Sequence, residues 1–344
     1  MSDLVTQQLN NDPLLQRVLT TVGNERRPVI GGMTLQAKIG EGSTGAVYRA
    51  VHPEQKRDVA IKVMLFSDEK SQRFERFMTH AKSAMTAKSP NLVEILKVDT
   101  ESGLIYLVSE FVNGINAEKH LATLKERLKP GMNEASLLDM CVSAATGLMA
   151  AHNANVLHLD LRPSSILISK GANAEFSFSH AKLCDLGQAY NEFIGRFLIG
   201  TAAQCGTPGY MSPEQAVGVE IPTKSSDVFS FGALMYALLV GQPPFGGLTI
   251  DDVLSATVYE EVGNVRTWRP DVSRATCKVI ELCLRKNPAA RIPDARVLLH
   301  ALQIARDSLE CSLDIQQAAV EEISALVKYD GPVEFPVEQH MPQQ

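Results

Sequence analysis

The chain has 344 residues, 45% hydrophobic and 21% charged, which is a globular composition with enough length for two packed domains. Its net charge of -6 argues against an overall basic surface, so we do not expect nucleic acid as a partner. The six cysteines form no CxxC pair, so we expect neither disulfides nor a zinc site. The sequence shows no signal-peptide pattern and no apolar run long enough to cross a bilayer. We therefore expect a cytoplasmic protein without a membrane span.

The predicted elements begin with a short amphipathic helix at 12–23. Asp12 is its possible N-cap, Pro13 takes the first helical position and Gly23 lies beyond its end. Alternating apolar residues then predict an antiparallel sheet, with strands at 34–40, 46–52, 58–64, 92–98 and 103–112 and one helical stretch at about 68–87. Helix candidates follow at 134–153, 225–241, 273–287, 294–310 and 313–328. Strands followed by helices predict an α+β fold in two lobes.

Three glycines, Gly40, Gly42 and Gly45, have the spacing GxGxxG in the stretch IGEGSTGAV. Dinucleotide-binding folds use the same spacing between a strand and a helix. The residues after Gly45 instead alternate as in a strand, so we expect a loop between antiparallel strands whose backbone amides approach phosphates. A simple hairpin turn is the alternative that this segment alone leaves open.

Lys62 ends the apolar segment VAIK, and a lysine in such a strand suggests that an anion binds nearby. Taken alone, Lys62 is equally compatible with an edge lysine whose amino group reaches water. The glycine loop, VAIK, HLDLRPSSIL and CDLG, however, occur together in the order found in protein kinases. From about residue 31 to 303 the chain resembles the protein kinase family, and in particular its bacterial Hanks-type serine/threonine members.

The resemblance implies a bilobal protein-kinase-like fold, with a five-stranded antiparallel sheet in the N-lobe and a mainly helical C-lobe. It divides the chain into an N-terminal helical extension at 1–28, a kinase domain at 29–303, and a C-terminal helix with a flexible tail at 304–344. The N-lobe is expected at about 29–112 and the C-lobe at about 113–303.

The resemblance also implies which residues bind ATP. The three glycines cover the nucleotide, and Lys62 holds its α- and β-phosphates. Ser109 takes the gatekeeper position beside the adenine site. The other expected nucleotide contacts are Ile39, Val47, Ala60 and Leu167, together with the backbone of Glu110 and Val112.

The catalytic residues are assigned by the same comparison. Asp160 takes the position of the catalytic base, and Arg162 stands where the family has a lysine near the γ-phosphate. Asp185 would bind the Mg²⁺ that bridges the phosphates, and Ser165 occupies the position of a second metal ligand. Thr207, in GTPGYMSPE, would contact Asp160 and shape an acceptor site for a protein serine or threonine. ATP and Mg²⁺, or Mn²⁺ in its place, are the expected cofactors.

Two further contacts are expected to support the catalytic loop and the segment after it. Glu214 should form an ion pair with Arg291, and Asp227 should support the loop that carries Asp160.

Besides Arg162, three positions depart from the family's pattern. In the family, a helix of the N-lobe normally carries a glutamate that pairs with the lysine equivalent to Lys62, and His80 takes the position of that glutamate. Glu75 lies five residues earlier, so it points to another face of the helix. A neutral His80 can still accept one hydrogen bond from Lys62, whereas a protonated one would repel it. Ser165 replaces an asparagine, and its shorter hydroxyl coordinates a metal less well. Leu159 replaces the arginine that receives a phosphorylated activation loop, so we predict no activation through that contact.

Two functions follow from these observations. Retention of Lys62, Asp160 and Asp185 favours a serine/threonine kinase of reduced activity. The three departures leave open a pseudokinase that acts as a nucleotide-binding or scaffold protein, while the intact GTPGYMSPE segment argues against a small-molecule kinase. The amphipathic ends of the chain either pack on their own domain or dock a partner or each other.

Overall fold

The computed structural model describes residues 2–22, 25–42, 45–65, 72–171, 173, 175–186, 206–218, 221–329 and 331. The chain divides into two compact units, unit 1 from Met1–Thr86 and Val93–Val112, and unit 2 from Ala87–Leu92 and Asn113–Gln344. Cys205 and most of the tail expected to be flexible lie outside the described residues. The α+β, two-lobed class predicted from the sequence is confirmed.

Unit 1 is built on an antiparallel sheet. Its helical segments are α1 Ser2–Asn10, a 3₁₀ helix Pro13–Val18 and α2 Gln72–Ala84. Its strands are β1 Leu19–Val22, β2 Glu25–Ile30, β3 Met33–Gly42, β4 Gly45–Val51, β5 Asp58–Leu65, β6 Ile95–Glu101 and β7 Leu104–Glu110. Within the described residues these seven strands lie in the order β1-β2-β3-β4-β5-β7-β6.

The two faces of this sheet follow from the alternation of side chains along the strands. On β5, Val59, Ile61 and Val63 are fully buried, whereas Ala60 and Lys62 between them are half-buried. Successive side chains on a strand point to opposite faces, so the apolar set forms the core and leaves Lys62 on the other face.

The prediction of a helix at 12–23 is wrong. Asp12 does begin a helical segment, because its side chain accepts a hydrogen bond from the Leu14 amide at 3.0 Å, but that segment is a 3₁₀ helix ending at Val18. The β-branched residues that follow favour extended backbone, and β1 pairs with β2. The two strands extend the expected five-stranded sheet to seven.

Unit 2 is mainly helical. Its helices are α3 Ala117–Glu126, α4 Glu134–Asn153, α5 Pro213–Val217, α6 Lys224–Val240, α7 Ile250–Tyr259, α8 Val265–Trp268, α9 Arg274–Cys283, α10 Ala295–Ser308 and α11 Leu313–Ala325, with 3₁₀ helices at Pro163–Ser165 and Pro288–Ala290. A small antiparallel sheet has the order β10 Phe176–Leu183, β9 Ile166–Lys170, β8 Gly114–Asn116. Helix α6 is buried along nearly its whole length, as expected for a helix that is apolar on every side.

The ends of the chain differ in how much they pack on their own unit. Leu15 and Val18, from the N-terminal segment, belong to the buried core of unit 1. In the C-terminal helix α11, Ile323 is buried but Leu313 and Ile315 are exposed. Packing on the host unit is therefore confirmed for the N-terminal residues, and docking of a partner stays a prediction.

None of the helices in the described part of the chain has the combination of length and apolar character that crossing a bilayer requires.

Candidate active site

The three glycines lie in a β-hairpin. Gly40 and Gly42 end β3, Gly45 begins β4, and Gly42 faces Gly45 across the ladder. Gly45 has φ +152°, and a Cβ there would clash with the carbonyl oxygen of Val63, so glycine is required. A strand follows this loop instead of a helix, which excludes the dinucleotide-binding alternative.

Val47, Ala60 and Lys62 share one half-buried face of the unit 1 sheet. Val47 on β4 lies directly opposite Lys62 on β5, and Ala60 is two residues from Lys62 on the same strand. The structure therefore brings together an apolar surface and an ammonium group beside the glycine hairpin. Ile39 is 37% exposed and immediately precedes the first glycine.

The other unit 1 residues expected to contact adenine lie at the end of β7. Ser109 faces Ala60 across the ladder. The Glu110 amide donates to the Glu94 carbonyl at 3.0 Å, and its carboxylate accepts from the Glu94 amide at 2.9 Å. Val112 follows two residues later and is half-buried. These contacts fix the backbone of the segment, while adenine binding itself stays a prediction.

His80 is half-buried on α2, and Glu75 is exposed on the same helix. Burial lowers the pKa of His80, so its imidazole is neutral at neutral pH. The side chain at this position can therefore accept a hydrogen bond, but it does not bring the negative charge that the family's glutamate provides.

In unit 2, the structure assembles the expected catalytic residues around Asp160. The Thr207 hydroxyl donates to one carboxylate oxygen of Asp160 at 2.8 Å. Arg162 Nε lies 3.5 Å from the other oxygen, an ion pair without hydrogen-bond geometry. The Ser165 hydroxyl donates to the Asp160 backbone carbonyl at 2.9 Å. The Asp160 side chain remains 29% exposed, so it is partly accessible to solvent.

Asp227 holds the backbone of this loop, as expected. Its carboxylate accepts hydrogen bonds from the amides of His158 at 2.9 Å and Leu159 at 2.7 Å. A third donor is His152, whose Nε2 lies 3.0 Å from the same carboxylate and whose Nδ1 accepts from the Ala295 amide. Because Asp227 is fully buried, these donors replace the water that its charge would otherwise need.

Leu159 is 1% exposed and has a left-handed φ of 62°. Such a backbone is unfavourable for a leucine, so the surrounding contacts must hold it in place. Its amide is bound by Asp227, and its carbonyl accepts from Gln215 Nε2 at 3.0 Å. The position of the family's phosphate-binding arginine is thus occupied by a buried apolar side chain.

Asp185 follows Cys184 in a half-buried irregular segment after β10 and also has φ 62°. The Cys184 amide donates to the Ser165 carbonyl at 2.9 Å, and Cys184 Sγ donates to the Asp185 carboxylate at 3.5 Å. Among the described residues, no group of three or more His, Cys, Asp or Glu side chains is arranged to hold a metal ion. An Asp185 carboxylate fits Mg²⁺, which typically takes one or two protein carboxylates and completes its shell with phosphates and water.

Ser165 and Leu167 are the remaining site residues predicted in unit 2. Ser165 is 1% exposed, and its hydroxyl is bound to the Asp160 carbonyl. Leu167 is half-buried on β9, where it faces Asn116 and Lys182. Metal binding by Ser165 and adenine packing by Leu167 stay predictions.

The expected pair of Glu214 and Arg291 is present and buried. Both guanidinium nitrogens, Nη1 and Nη2, donate to the carboxylate at 2.7 Å, which is the bidentate geometry of a strong pair. The Ser226 hydroxyl also donates to Glu214 at 2.7 Å. Burial alone would raise the pKa of Glu214, but Arg291 and Ser226 hold it below its ordinary value.

Sequence reasoning assigned no role to His158, although it lies two residues before Asp160. Its Nε2 donates to the Cys184 carbonyl at 2.8 Å, and its Nδ1 accepts from the Asp160 amide at 3.4 Å. His158 thereby links the segment that carries Asp160 to the segment that carries Asp185. Because His158 is only two residues from Asp160, its position in the sequence could have indicated a role at the site. The contacts of Gln215 and His152 with this loop had no such indication in the sequence.

A family model described as the protein kinase domain matches residues 33–302. The chain belongs to the protein kinase family. The chain is 31% identical over 280 residues to serine/threonine-protein kinase pkn3 of Myxococcus xanthus, covering 78% of this chain and 49% of the relative. It is 29% identical over 271 residues to PrkC of Bacillus subtilis, covering 78% and 40%. It is 31% identical over 327 residues to PkaA of Streptomyces coelicolor, covering 90% and 57%.

The chain spans about half the length of these curated relatives. Among solved structures, the PknI kinase domain of Mycobacterium tuberculosis has a TM-score of 0.60 at 21% identity, covering 80% of this chain and 97% of that one. This likeness supports the kinase fold. The resemblance to bacterial Hanks-type serine/threonine kinases is confirmed by the family match and by these relatives.

Proposed function

We propose that this chain is an ATP-dependent serine/threonine protein kinase of reduced activity. The observation that carries the proposal is the Asp160 carboxylate, which is partly exposed and bound by Thr207 on a loop that Asp227 fixes. A carboxylate held in this way can accept a proton from a substrate hydroxyl. The relatives named as serine/threonine kinases support the same function.

In this proposal, unit 1 binds the nucleotide. The amides of the glycine hairpin and the Lys62 ammonium hold the phosphates, since both are donors suited to anions. Val47 and Ala60 contact the adenine from the sheet, and Ile39 with the backbone of Glu110 and Val112 are the other contacts expected from unit 1. Leu167 is the adenine contact expected from unit 2.

Unit 2 supplies the chemistry. The substrate hydroxyl oxygen forms a bond to the γ-phosphorus of ATP while the bond from that phosphorus to the bridging oxygen of ADP breaks. The hydroxyl proton passes to Asp160, and ADP leaves with the electron pair of the broken bond. Arg162 places a positive charge beside Asp160, where the transferred phosphoryl group is expected.

Mg²⁺ would neutralise phosphate charge when bound. We assign Asp185 as its ligand from unit 2, with Ser165 as a weaker neutral ligand at most. Mn²⁺ accepts the same oxygen ligands and is the expected substitute.

The reduced activity is expected from two of the altered positions, His80 and Ser165. A neutral His80 gives less support to Lys62 than a carboxylate does, and Ser165 supplies less to a second metal than an asparagine. Each loss corresponds to about 2 to 4 kcal/mol of transition-state stabilisation, by analogy with the removal of one preorganised contact. An enzyme that retains both aspartates keeps measurable activity after such losses.

The second candidate is a pseudokinase that binds nucleotide or serves as a scaffold. The specific observation in its favour is Ser165, whose buried hydroxyl is bound to the Asp160 carbonyl. The exposed apolar residues Leu313 and Ile315 of α11 would then be candidates for a surface that docks a partner.

Transfer of labelled γ-phosphate to the protein itself or to a generic basic protein distinguishes the two functions. A kinase shows transfer in Mg²⁺ or Mn²⁺ that Asp160→Asn abolishes. A pseudokinase shows none with either metal although the protein is folded, and a thermal shift with ATP then separates nucleotide binders from empty scaffolds. The proposal also includes a protein substrate with a serine or threonine acceptor and a cytoplasmic location.

A further inference from the structure

Asp12 connects the N-terminal segment to the two strands of the glycine hairpin. One carboxylate oxygen, Oδ1, accepts from the Leu14 amide at 3.0 Å and so begins the 3₁₀ helix. The other, Oδ2, accepts from the Tyr48 hydroxyl on β4 at 2.8 Å and from Lys38 Nζ on β3 at 3.2 Å. A single side chain thus joins three segments of unit 1.

These contacts fall at a particular place in the hairpin. Lys38 and Tyr48 face each other across the ladder, whereas the next pair is Gly40 with Val47. Ile39 is therefore an extra residue on β3, a β-bulge at which the strand bends towards the loop. Asp12 binds both members of the last regular pair before that bend.

The bond from Tyr48 to Asp12 is partly buried, whereas the bond from Lys38 is exposed. The Asp12 side chain is 9% exposed and Tyr48 is fully buried, so a hydrogen bond lost there is not replaced easily by water. Burial by itself would raise the pKa of Asp12, but hydrogen bonds from Tyr48, Leu14 and Lys38 lower it below the ordinary value. Lys38 also lies 3.1 Å from Glu41, but that carboxylate is 71% exposed and the pair contributes little.

The segment that carries Asp12 is itself anchored. Leu9 and Leu15, on either side of Asp12, and Val18 are buried in the core of unit 1. The carboxylate is therefore presented from a packed segment, in contrast to a side chain on a loose terminus.

We propose that Asp12 is a positioning residue for the nucleotide-binding loop, and that the N-terminal segment sets the affinity for ATP by holding the base of the glycine hairpin through Lys38 and Tyr48. This inference rests on the proposed function, since it assumes that the hairpin binds the phosphates. The contacts of Asp12 lie at the hairpin and not at the acceptor site, so the substrate-binding and proton-accepting residues of unit 2 are not affected directly.

The experiment compares three variants of the full chain. Asp12→Ser keeps a cap for the 3₁₀ helix but is too short to reach the strands. Tyr48→Phe removes only the hydroxyl from the strand side. Val18→Ala is the matched control, because it removes buried apolar area from the same segment and none of the Asp12 contacts. For each variant we would measure the Kd for MgATP by calorimetry, the thermal midpoint, and hydrogen exchange of the peptide spanning residues 36–50 without nucleotide.

The proposal predicts that Asp12→Ser and Tyr48→Phe each weaken MgATP binding by about three- to tenfold, which corresponds to about 0.7 to 1.4 kcal/mol, the net contribution of one ordinary hydrogen bond. Both should also speed exchange in the 36–50 peptide, and the double variant should lose less than the product of the single effects. Val18→Ala should lower the thermal midpoint and leave the Kd within about twofold of the wild type.

Three results would overturn the proposal, and they are distinguishable. If the wild type binds MgATP and the Asp12 and Tyr48 variants bind equally well, the positioning role fails while the proposed function stands. If the wild type binds no MgATP while remaining folded, the proposed function fails and the inference fails with it. If Val18→Ala loses as much affinity for MgATP as Asp12→Ser does, the effect of Asp12 comes from the general stability of the segment and not from positioning the hairpin.

Discussion

The Thr207 hydroxyl donates a hydrogen bond to the Asp160 carboxylate at 2.8 Å, although 47 positions separate the two residues in the chain. Thr207 therefore sets the orientation of the carboxylate that we assign as the proton acceptor. The same carboxylate lies near Arg162 and is otherwise partly exposed.

Thr207→Ala should lower kcat by about 10- to 100-fold, because one hydrogen bond to a charged group is lost at the reacting carboxylate. Thr207→Ser keeps the hydroxyl and should retain most of the rate. Steady-state kinetics with a serine or threonine peptide measures both. Equal rates for the alanine and serine variants would show that the hydrogen bond does not contribute to turnover.

Glu214→Gln should destabilise the protein by about 3 to 5 kcal/mol, because Arg291 would keep a fully buried charge without a carboxylate partner. Glu281→Gln is the control, since Glu281 forms an exposed pair with Lys278 and should cost less than about 1 kcal/mol. Urea unfolding of the two variants measures the difference. Similar losses in both would show that burial does not strengthen the Glu214 pair.

The Glu214 pair also predicts acid sensitivity. The folded-state pKa is lowered from its ordinary value of 4.5, so the unfolded chain takes up the proton more readily. The contribution of the pair to stability is complete above pH 4.5 and is lost as the pH falls through the lower folded value. The stability of Glu214→Gln should therefore depend less on pH in this acidic window than that of the wild type.

His80→Glu should raise kcat/KM by about three- to tenfold, because a carboxylate supports Lys62 better than a neutral imidazole does. The pKa of His80 is lowered from 6.5, so the wild type gains a positive charge at this position only in acid and should lose activity there. The glutamate variant should lack that acid loss. Rates of both proteins between about pH 5.5 and 8 test the prediction.

Glu75→Gln is the control for His80→Glu, because Glu75 is exposed on the same helix. We expect it to leave the rate and its pH profile unchanged. A large loss of activity in Glu75→Gln, with no gain in His80→Glu, would assign the support of Lys62 to Glu75 instead.

Much of this structure was predictable because several features are local in the sequence. Helix α4 occupies the predicted range 134–153, since Asn133 caps it and its apolar residues are buried. The contacts of Asp160 with Thr207 and of Glu214 with Arg291 followed from motifs whose residues have fixed partners in the family. Each of these predictions rested on a capping residue, an apolar pattern or a motif that can be recognised in the sequence itself.

The rest depended on contacts between distant segments. The sequence did not predict helix α1. The segment after Val18 pairs as a strand with β2, although the N-cap at Asp12 had indicated that the helix would continue. The bond from Tyr48 to Asp12 joins residues 36 positions apart with no shared motif. A buried tyrosine needs a hydrogen-bond partner, but sequence alone does not say which carboxylate provides it.

Ser165→Asn should raise the rate and make it depend more steeply on Mg²⁺ concentration, because the amide oxygen offers a better second metal ligand than a hydroxyl. Ser164→Asn is the control at the adjacent position. Rates measured across a magnesium titration test both. An unchanged magnesium dependence in Ser165→Asn would show that this position does not bind a metal during turnover.

In the proposed function, Asp160 still accepts the proton of the substrate hydroxyl during phosphoryl transfer from ATP. The most direct measurement is the rate at which purified protein transfers γ-phosphate from MgATP to a serine or threonine substrate, compared between the wild type and Asp160→Asn. We predict slow but measurable transfer by the wild type and a loss of at least about 100-fold in the variant. Equal signals from the two proteins, or none from a folded wild type in either Mg²⁺ or Mn²⁺, would contradict it.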